Sequence, residues 1–403
     1  MRYARLALPA LAVLAAIAPA PAQSPDAARL AAVREQMQKF VDDGEVAGAV
    51  TVVGRRGGVA HLEAVGSQSL EAKSPMAKDS IFRIASMTKP VTAIAIMILA
   101  DEGKLSVDDP VEKHLPEFKG QMLVAAGDGG PIILKKPSRP ITLRDLLTHT
   151  SGLPGGYPPG LADIYQKRNR TLAETTLVIS QQPLRFEPGT QWAYCNAGID
   201  TLGRVVHVVS GEPFEWFLEE RVFAPLGMMD TTFYPTPDQR KRLAVTYDRK
   251  GKGPLTAVPS PFLDTPERAK HPVPAGGLFS TGADLAKLYR MMLNKGELDG
   301  KRVLSEKAVA EMTRLQTGDL KTGFVDGMGF GYGWAVVREP KGVTGMLSAG
   351  SYGHGGAFGT QGWLDPTQDL FVVLLIQRTG LPNADASPMR KSLQETAVAA
   401  LKK

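Results

Sequence analysis

The sequence predicts an α/β protein of the α+β class, in which a helix-flanked antiparallel β-sheet is built from both chain ends and an all-helical domain is inserted between them. Three observations lead to this fold class. Strand-like segments lie near the N-terminus, helical periodicity dominates the middle of the chain, and strand-like segments return before a last helix.

The composition is typical of a globular protein with a large core. The chain has 403 residues, of which 43% are hydrophobic and 22% are charged. The formal net charge of +6 is mild, and the sequence has no basic stripe with interleaved aromatic residues, so nucleic acid is not an expected partner. The single cysteine, Cys195, excludes an internal disulfide. The histidines are scattered and no metal motif occurs, so we expect no metal or other cofactor.

Residues 1–22 have the pattern of a secretory signal peptide. Arg2 and Arg5 give a basic start, the run LALPALAVLAAIA is too short to span a bilayer, and residues 20–22 (Ala-Pro-Ala) form a small-residue cleavage site. We therefore expect export to the periplasm or the medium, with a mature chain that begins near Gln23. No later stretch is apolar enough to predict a transmembrane segment.

The N-terminal part of the mature chain reads as helix, hairpin and helix. Residues 28–44 have helical periodicity and end at a glycine, and residues 46–66 read as two strands around a Gly-Arg-Arg-Gly-Gly turn. The long apolar run after Ser86 predicts a buried helix. We assign the sheet part to about 28–90 and 325–403, and the helical part to about 91–324.

The rest of the chain alternates helices with loops before strands return. Residues 120–140 and 235–275 are rich in glycine, proline or charge and are expected to be irregular. Helices are predicted within 141–154, 171–183, 197–211, 213–227, 275–297 and 305–314. The last part reads as a strand at 329–337, a hairpin made of 353–366 and 370–378, and a terminal helix at 387–403.

The stretch Ser86-Met87-Thr88-Lys89 lies where extended chain turns into the buried helix. Ser86 and Lys89 are three residues apart, so on a helix they share one face. A serine hydroxyl is a poor nucleophile until a base takes its proton, and a lysine can be that base when burial lowers its pKa. The helix N-terminus also offers N–H groups to a developing oxyanion. The tetrapeptide by itself also fits a helix cap with a solvated lysine.

A second candidate stretch precedes the helix predicted at 197–211. Tyr194 would pass a proton to or from the Ser86 hydroxyl, and Asn196 would hydrogen-bond both Lys89 and a substrate amide. The same tripeptide also fits an ordinary helix entry.

A third candidate stretch, His354-Gly355-Gly356-Ala357, lies on the predicted hairpin strand. Two glycines in a strand mark a close approach of something to the backbone. A substrate would lie along that edge, with the Ala357 N–H as an oxyanion donor. The other interpretation is a strand bulge beside a histidine that is bonded to backbone.

Together, Ser86-x-x-Lys89, Tyr194-x-Asn196 and the motif at 354–356 resemble the three motifs of the serine β-lactamase and penicillin-binding-protein superfamily, in order and rough spacing. The stretches GKLSVDDPVEKHLPEF, ITLRDLLTHTSGLP, AGGLFSTGADLAKL and GHGGAFGTQGWLDP look like its class C-related branch. That branch includes class C β-lactamases, D,D-peptidases, D-amino-acid peptidases and family VIII carboxylesterases. The resemblance covers nearly the whole mature chain and implies a β-lactamase/transpeptidase-like fold.

The resemblance also implies a role for each matching residue. Ser86 would be the acylated nucleophile, and Lys89 would be the base or its helper, with Tyr194 sharing that role. Asn196 would position the lysine and the substrate. The backbone N–H groups of Ser86 and Ala357 would form the oxyanion hole, beside the substrate-binding residues His354, Gly355 and Gly356.

The chain departs from the pattern at two positions. Residues 354–356 (His-Gly-Gly) stand where class C β-lactamases have Lys-Thr-Gly, whose lysine helps to bind a substrate carboxylate, and this weakens the β-lactamase interpretation. Cys195 stands where a serine is common, and we expect it to pack in the core. A literal Lys-Thr-Gly occurs at 321–323, but it is predicted to lie in a loop. No serine lies in G-x-S-x-G, which argues against an α/β-hydrolase.

These patterns predict an exported serine hydrolase that works through an acyl-enzyme on Ser86. Its partner would be a small-molecule ester, amide or peptide substrate. A carboxylesterase on small acyl esters is the first interpretation, a D-amino-acid or small-peptide peptidase the second, and a β-lactamase the third. A penicillin- or cell-wall-binding protein that is acylated without turnover stays open, because fold analogy does not choose a substrate.

Overall fold

The computed structural model describes residues 29–126, 132–158, 161, 167–259 and 269–401. The predicted signal peptide, residues 1–22, lies outside the described residues. Within the described residues, no helix combines the length and the apolar character that a membrane span requires.

One eight-stranded sheet organises the fold, and every pair of neighbouring strands in it is antiparallel. An N-terminal strand and a C-terminal strand pair directly at its centre, with Val52 opposite Val373. The predicted fold class is therefore confirmed. Across the sheet the strands are β12 (Met328–Phe330), β13 (Ala335–Val337), β14 (Tyr352–Gly355), β15 (Gln361–Asp365), β16 (Leu370–Leu375), β1 (Gly48–Arg55), β2 (Gly58–Ser69) and β3 (Ser74–Pro75).

Among the described residues, four short two-stranded pairs lie outside this sheet. They are β4 (Phe82–Arg83) with β9 (Phe279–Ser280), β5 (Leu123–Ala126) with β6 (Ile133–Lys135), β7 (Tyr247–Asp248) with β8 (Thr256–Ala257), and β10 (Glu297–Leu298) with β11 (Lys301–Arg302).

Most of the described helices lie in the middle of the chain, and one lies near each end. They are α1 (Ala31–Asp42), α2 (Thr88–Asp101), α3 (Val111–His114), α4 (Leu143–Leu147), α5 (Leu172–Ser180), α6 (Asn196–Ser210), α7 (Phe214–Leu218), α8 (Ala224–Leu226), α9 (Pro237–Lys241), α10 (Gly282–Leu293), α11 (Glu306–Thr313) and α12 (Pro388–Leu401). Single 3₁₀ turns lie at Ala85–Met87, Pro116–Phe118, Gly342–Thr344 and Ala384–Ala386, and a π turn at Glu219–Phe223 joins α7 to α8.

Strand β1 contributes side chains to two apolar layers, one on each face of the sheet. Successive side chains of a strand point to opposite faces. Val50 and Val52 join the larger core cluster with helices α2 and α10, whereas Ala49 and Val53 join a second cluster with helices α1 and α12. Both faces of the central strands are buried for this reason, and β1 reads as a nearly continuous apolar run.

Helix α2 is buried on every side over residues 88–99. A helix that is apolar all round belongs in the core of a large domain rather than on its surface. Ser86 lies in the 3₁₀ turn that leads directly into this helix, so the nucleophile candidate stands at the start of a buried element.

Four parts of the chain differ from the sequence prediction. The segments 120–140 and 235–275 were expected to be irregular, but they contain the strand pairs β5–β6 and β7–β8 and the helix α9, which are too short to show a periodic apolar pattern. Residues 329–337 form the hairpin β12–β13 rather than one strand, because Gly333, with a φ of 71°, turns the chain between them. Residues 353–366 likewise contain both β14 and β15, so three strands stand where the sequence predicted a two-strand hairpin.

Candidate active site

Ser86 lies in the 3₁₀ turn Ala85–Met87, directly before helix α2. Ala85 has a positive φ of 48°, a conformation that residues with a side chain rarely adopt. Thr88 holds this turn, since its hydroxyl donates to the Ala85 carbonyl at 2.7 Å and accepts from the Leu278 N–H at 3.2 Å. The strained turn leaves Ser86 partly exposed between buried neighbours, as an attacking group must be.

Lys89 points its amine at the Ser86 hydroxyl. Its Nζ lies 3.0 Å from Ser86 Oγ and donates to the carbonyl oxygen of Ala275 at 2.7 Å. The side chain is fully buried. Burial lowers the pKa of Lys89 to about 7, although Asp200 and Cys195 act in the opposite direction. A large part of Lys89 is therefore a free amine near neutral pH, which is the form that a base needs.

The carbonyl that orients Lys89 is itself held in place. Asp200, on helix α6, accepts a hydrogen bond from the Ala275 N–H at 2.9 Å, and Thr92 donates to the carbonyl of Pro274 at 2.7 Å. Asp200 and Ala275 were not among the predicted site residues. A backbone carbonyl has no residue-type signature, so only the geometry reveals it.

Tyr194 lies beside both residues of the first motif. The Lys89 Nζ lies 4.7 Å from the centre of the Tyr194 ring. Burial raises the pKa of Tyr194 well above its ordinary value, and a hydrogen bond with Ser86 acts in the opposite direction. The phenol is therefore protonated at neutral pH and can serve as a proton donor.

The other two residues of the second motif begin helix α6. Cys195 is its N-cap, where Sγ accepts from the Gly198 N–H at 3.2 Å and donates to the Pro154 carbonyl at 3.4 Å. Burial raises the pKa of this thiol to about 11. Asn196 is half-buried, and within the described chain the hydrogen-bond partners of the Lys89 amine are Ser86 and Ala275 rather than Asn196.

His149 is a further buried residue at the site. Its Nδ1 accepts from the Cys195 N–H at 3.2 Å, and its ring centre lies 4.7 Å from that of Tyr194. Burial lowers the pKa of His149 well below its ordinary value, so the ring is neutral. A neutral imidazole that accepts at Nδ1 carries its proton on Nε2. His149 was not among the predicted site residues, although it lies in the stretch ITLRDLLTHTSGLP that resembles the family.

The third motif lies at the end of strand β14. His354 Nδ1 donates to the carbonyl of Gly355 at 2.7 Å, because a carbonyl oxygen can only accept. Burial lowers the pKa of His354 to about 4, so this residue carries no charge at neutral pH. Gly355 leaves room for two side chains, because a Cβ there would meet the carboxylate of Asp385 and lie 2.5 Å from Gln361 Nε2.

Gly356 and Ala357 connect the third motif to the first. A turn closes after β14 through the Gly356 N–H, which donates to the Thr360 carbonyl at 2.7 Å, and leaves Ala357 exposed. The Thr360 hydroxyl donates to the Ile84 carbonyl at 3.2 Å, two residues before Ser86. The fold thus brings the three motifs together, although they are far apart in the sequence.

The literal Lys-Thr-Gly at 321–323 lies in a loop before β12. Lys321 is exposed. The same loop nevertheless reaches the site, because the ring centre of Phe324 lies 5.1 Å from that of Tyr194.

A family model for β-lactamases matches residues 33–395. This chain belongs to the β-lactamase family. Its homologues are serine hydrolases, and the chain is an enzyme of that kind. It is 32% identical over 374 residues to the esterase EstB of Burkholderia gladioli. The aligned region covers 87% of this chain and 90% of EstB.

Two further relatives differ in their activities. The D-alanyl-D-alanine-carboxypeptidase/endopeptidase AmpH of Escherichia coli is 29% identical over 313 residues, covering 75% of this chain and 72% of AmpH. The solved structure of EstCE1, a hydrolase with promiscuous acyltransferase activity, superimposes with a TM-score of 0.75 at 26% identity, covering 95% of this chain and all of the other. The family therefore includes esterase, peptidase and acyltransferase members.

Proposed function

We propose that this β-lactamase-family member is an exported carboxylesterase that hydrolyses small, uncharged acyl esters through an acyl-enzyme on Ser86. The contact between Ser86 Oγ and the buried Lys89 amine, at 3.0 Å, carries the proposal, because it gives a serine a base that is half deprotonated near neutral pH. The rest of the site supports the steps that follow.

In the acylation step, the free amine of Lys89 takes the Ser86 proton as Oγ attacks the ester carbonyl. The C–O⁻ group that forms is stabilised by the N–H groups of Ser86 and Ala357. Tyr194 donates its proton to the departing alcohol oxygen as the ester C–O bond breaks, and the Lys89 ammonium returns a proton to the phenolate. A water then attacks the acyl-enzyme by the reverse proton path, which releases the acid and restores Ser86.

His354, in the third motif, is uncharged at neutral pH, and this supports an ester substrate that carries no carboxylate. A β-lactam or a peptide with a free C-terminus needs a cation at the cleft wall. His354, with its pKa lowered to about 4, provides none there, and Lys321 is exposed in a loop. The similarity to EstB and EstCE1 points in the same direction. The similarity to AmpH keeps a peptidase as the second candidate.

A substrate panel tests the choice between these activities. Purified protein is assayed with p-nitrophenyl acyl esters, nitrocefin and a D-Ala-D-Ala peptide, with Ser86→Ala as the control for background hydrolysis. We expect turnover of the esters that Ser86→Ala abolishes, and little turnover of the other two. Efficient nitrocefin or peptide turnover without ester turnover would replace the esterase proposal.

Export is tested separately by the N-terminus of the protein from cells that express the full chain. We expect the chain to begin at or near Gln23 and to be found in the periplasm or the medium. Intact Met1 on most of the soluble protein would refute export without touching the catalytic proposal.

A further inference from the structure

Phe324 is an aromatic residue that the proposed chemistry does not use. Its side chain is 50% exposed, which leaves one face of a large apolar ring in water. Hydrogen bonds hold the loop around it in place. Asn383 Nδ2 donates to the Phe324 carbonyl at 3.0 Å, and Thr322 donates to the Met328 carbonyl at 2.8 Å. A loop held in this way keeps the exposed ring in a fixed place beside Tyr194.

Three aromatic rings meet at this point. The ring centre of Phe324 lies 5.1 Å from that of Tyr194 and 6.2 Å from that of Trp192, and the Trp192 and Tyr194 centres are 6.3 Å apart. Phe324 approaches both neighbours edge-on, at interplanar angles of 69° and 78°. These edge-to-face contacts fix the orientation of the ring. We call Trp192 and Phe324 the aromatic shelf.

The aromatic shelf lies beside Tyr194, the proposed proton donor, and this position indicates which half of an ester would contact the shelf. Tyr194 is the residue that donates to the departing alcohol oxygen, and Phe324 packs against its ring. Ala357, the proposed oxyanion donor, lies in the separate turn after β14. An alcohol group whose oxygen is next to the Tyr194 hydroxyl therefore has the shelf beside it.

We propose that the aromatic shelf binds the alcohol portion of the substrate, and that it selects uncharged aryl or alkyl groups. This inference rests on the proposed function, since it names the half of the ester that the same site recognises. Covering the exposed face of Phe324 removes apolar surface from water in both partners, and an aryl group adds an aromatic contact. A charged group would lose hydration on the same surface without gaining a partner.

The test compares two acetates whose phenols ionise alike but differ in apolar surface, para-methylphenyl acetate and para-butylphenyl acetate. We expect the wild type to prefer the butyl compound in kcat/KM by roughly 10-fold, the scale for three methylenes on a half-open surface. Phe324→Ala should abolish that preference. Lys321→Ala is the matched control in the same loop and should keep it. An unchanged preference in Phe324→Ala, or an equal loss for both acetates, overturns the proposal.

A second readout separates the alcohol side from the acyl side. The acetyl-enzyme has already lost the alcohol that the shelf is proposed to bind, so its rate of hydrolysis should be the same in Phe324→Ala and in the wild type. A Phe324→Ala variant that changes deacylation in proportion to acylation would place the shelf on the acyl side and refute the assignment.

A third readout does not depend on ester turnover. Para-butylphenol should slow the labelling of Ser86 by a small fluorophosphonate in the wild type more than para-methylphenol does, and Phe324→Ala should remove the difference. If esters are not turned over but this protection is seen, the proposed function fails and the shelf stands. If esters are turned over and neither the kcat/KM preference nor the protection is seen, the shelf fails alone.

Discussion

The carbonyl oxygen of Ala275 lies 2.7 Å from Lys89 Nζ and fixes the amine 3.0 Å from the hydroxyl of Ser86. The carboxylate of Asp200 accepts a hydrogen bond from the backbone N–H of Ala275 and so holds this residue in place. Its negative charge also raises the pKa of Lys89 against the larger effect of burial. Asp200 thus holds the carbonyl that orients the proposed base, and it offsets part of the effect of burial on the pKa of Lys89.

The pH dependence of acylation follows from this arrangement. Lys89 is a base only when deprotonated, so kcat/KM for a neutral ester should rise with pH and level off above about 7, the pKa to which burial lowers the amine. Asp200→Asn removes the charge that favours the ammonium, so the inflection should move to lower pH. Asp238→Asn, at an exposed acid on α9, is the control and should not move it. A shift of the inflection upwards, or none, would contradict the role of Asp200.

In the proposed mechanism, Lys89 and Tyr194 act on the same proton path. Lys89→Ala and Tyr194→Phe should each lower kcat by at least ~100-fold, the usual scale for a general acid or base. The double variant should lose far less than the product of the two losses, because removing either residue breaks the path. Steady-state kinetics of the four proteins on one p-nitrophenyl ester provides the measurement. Losses that multiply would mean that the two residues act independently.

Gly356 is required by the packing of the protein before any substrate binds. A Cβ at this position would meet the Thr360 hydroxyl and lie 2.5 Å from the Ile84 carbonyl, in the segment that leads to Ser86. Gly356→Ala should therefore reduce both kcat/KM and the free energy of unfolding, the latter by about 1–3 kcal/mol. Gly57→Ala, where a Cβ meets nothing within 4 Å, is the matched control. Lost activity at full stability would instead indicate a direct block of the substrate.

Cys195 caps helix α6 with its thiol. Cys195→Ala should lower the free energy of unfolding by about 1 kcal/mol, because the Gly198 N–H loses its acceptor, whereas Cys195→Ser should keep most of the stability. The thiol should also resist iodoacetamide in the native protein, since burial raises its pKa to about 11. Denaturant unfolding and mass spectrometry check the two expectations. Rapid alkylation of the folded protein would be inconsistent with this cap.

The sequence was most informative where the chemistry is local. Ser86 and Lys89 are one helical turn apart, so their contact follows from spacing. A single sheet built from both chain ends could be anticipated from the strand-like patterns there, whereas the direct pairing of β1 with β16 is seen only in the structure. The turn at Gly333 was missed because alternation continues through it, with Tyr332 and Trp334 buried like strand residues.

Contacts between residues far apart in the chain could not be predicted from spacing or from apolar patterns. Nothing near Phe324 in the sequence indicates that its ring lies against Tyr194, and the contact depends on how the loop before β12 closes. The roles of Ala275 and Asp200 could not be predicted for a similar reason. Ala275 binds Lys89 through its backbone carbonyl, and Asp200 acts by binding the backbone N–H of Ala275. Burial of Lys89 and His354, which determines their charge, is likewise a property of the folded protein.

The central claim is that Ser86 is the residue that becomes acylated. It is tested most directly by intact-mass spectrometry of the protein after reaction with a fluorophosphonate, followed by mapping of the modified peptide. The account predicts one adduct per chain, on the peptide that contains Ser86, and none in Ser86→Ala. An adduct on another serine, or ester turnover by Ser86→Ala at the wild-type rate, would contradict it.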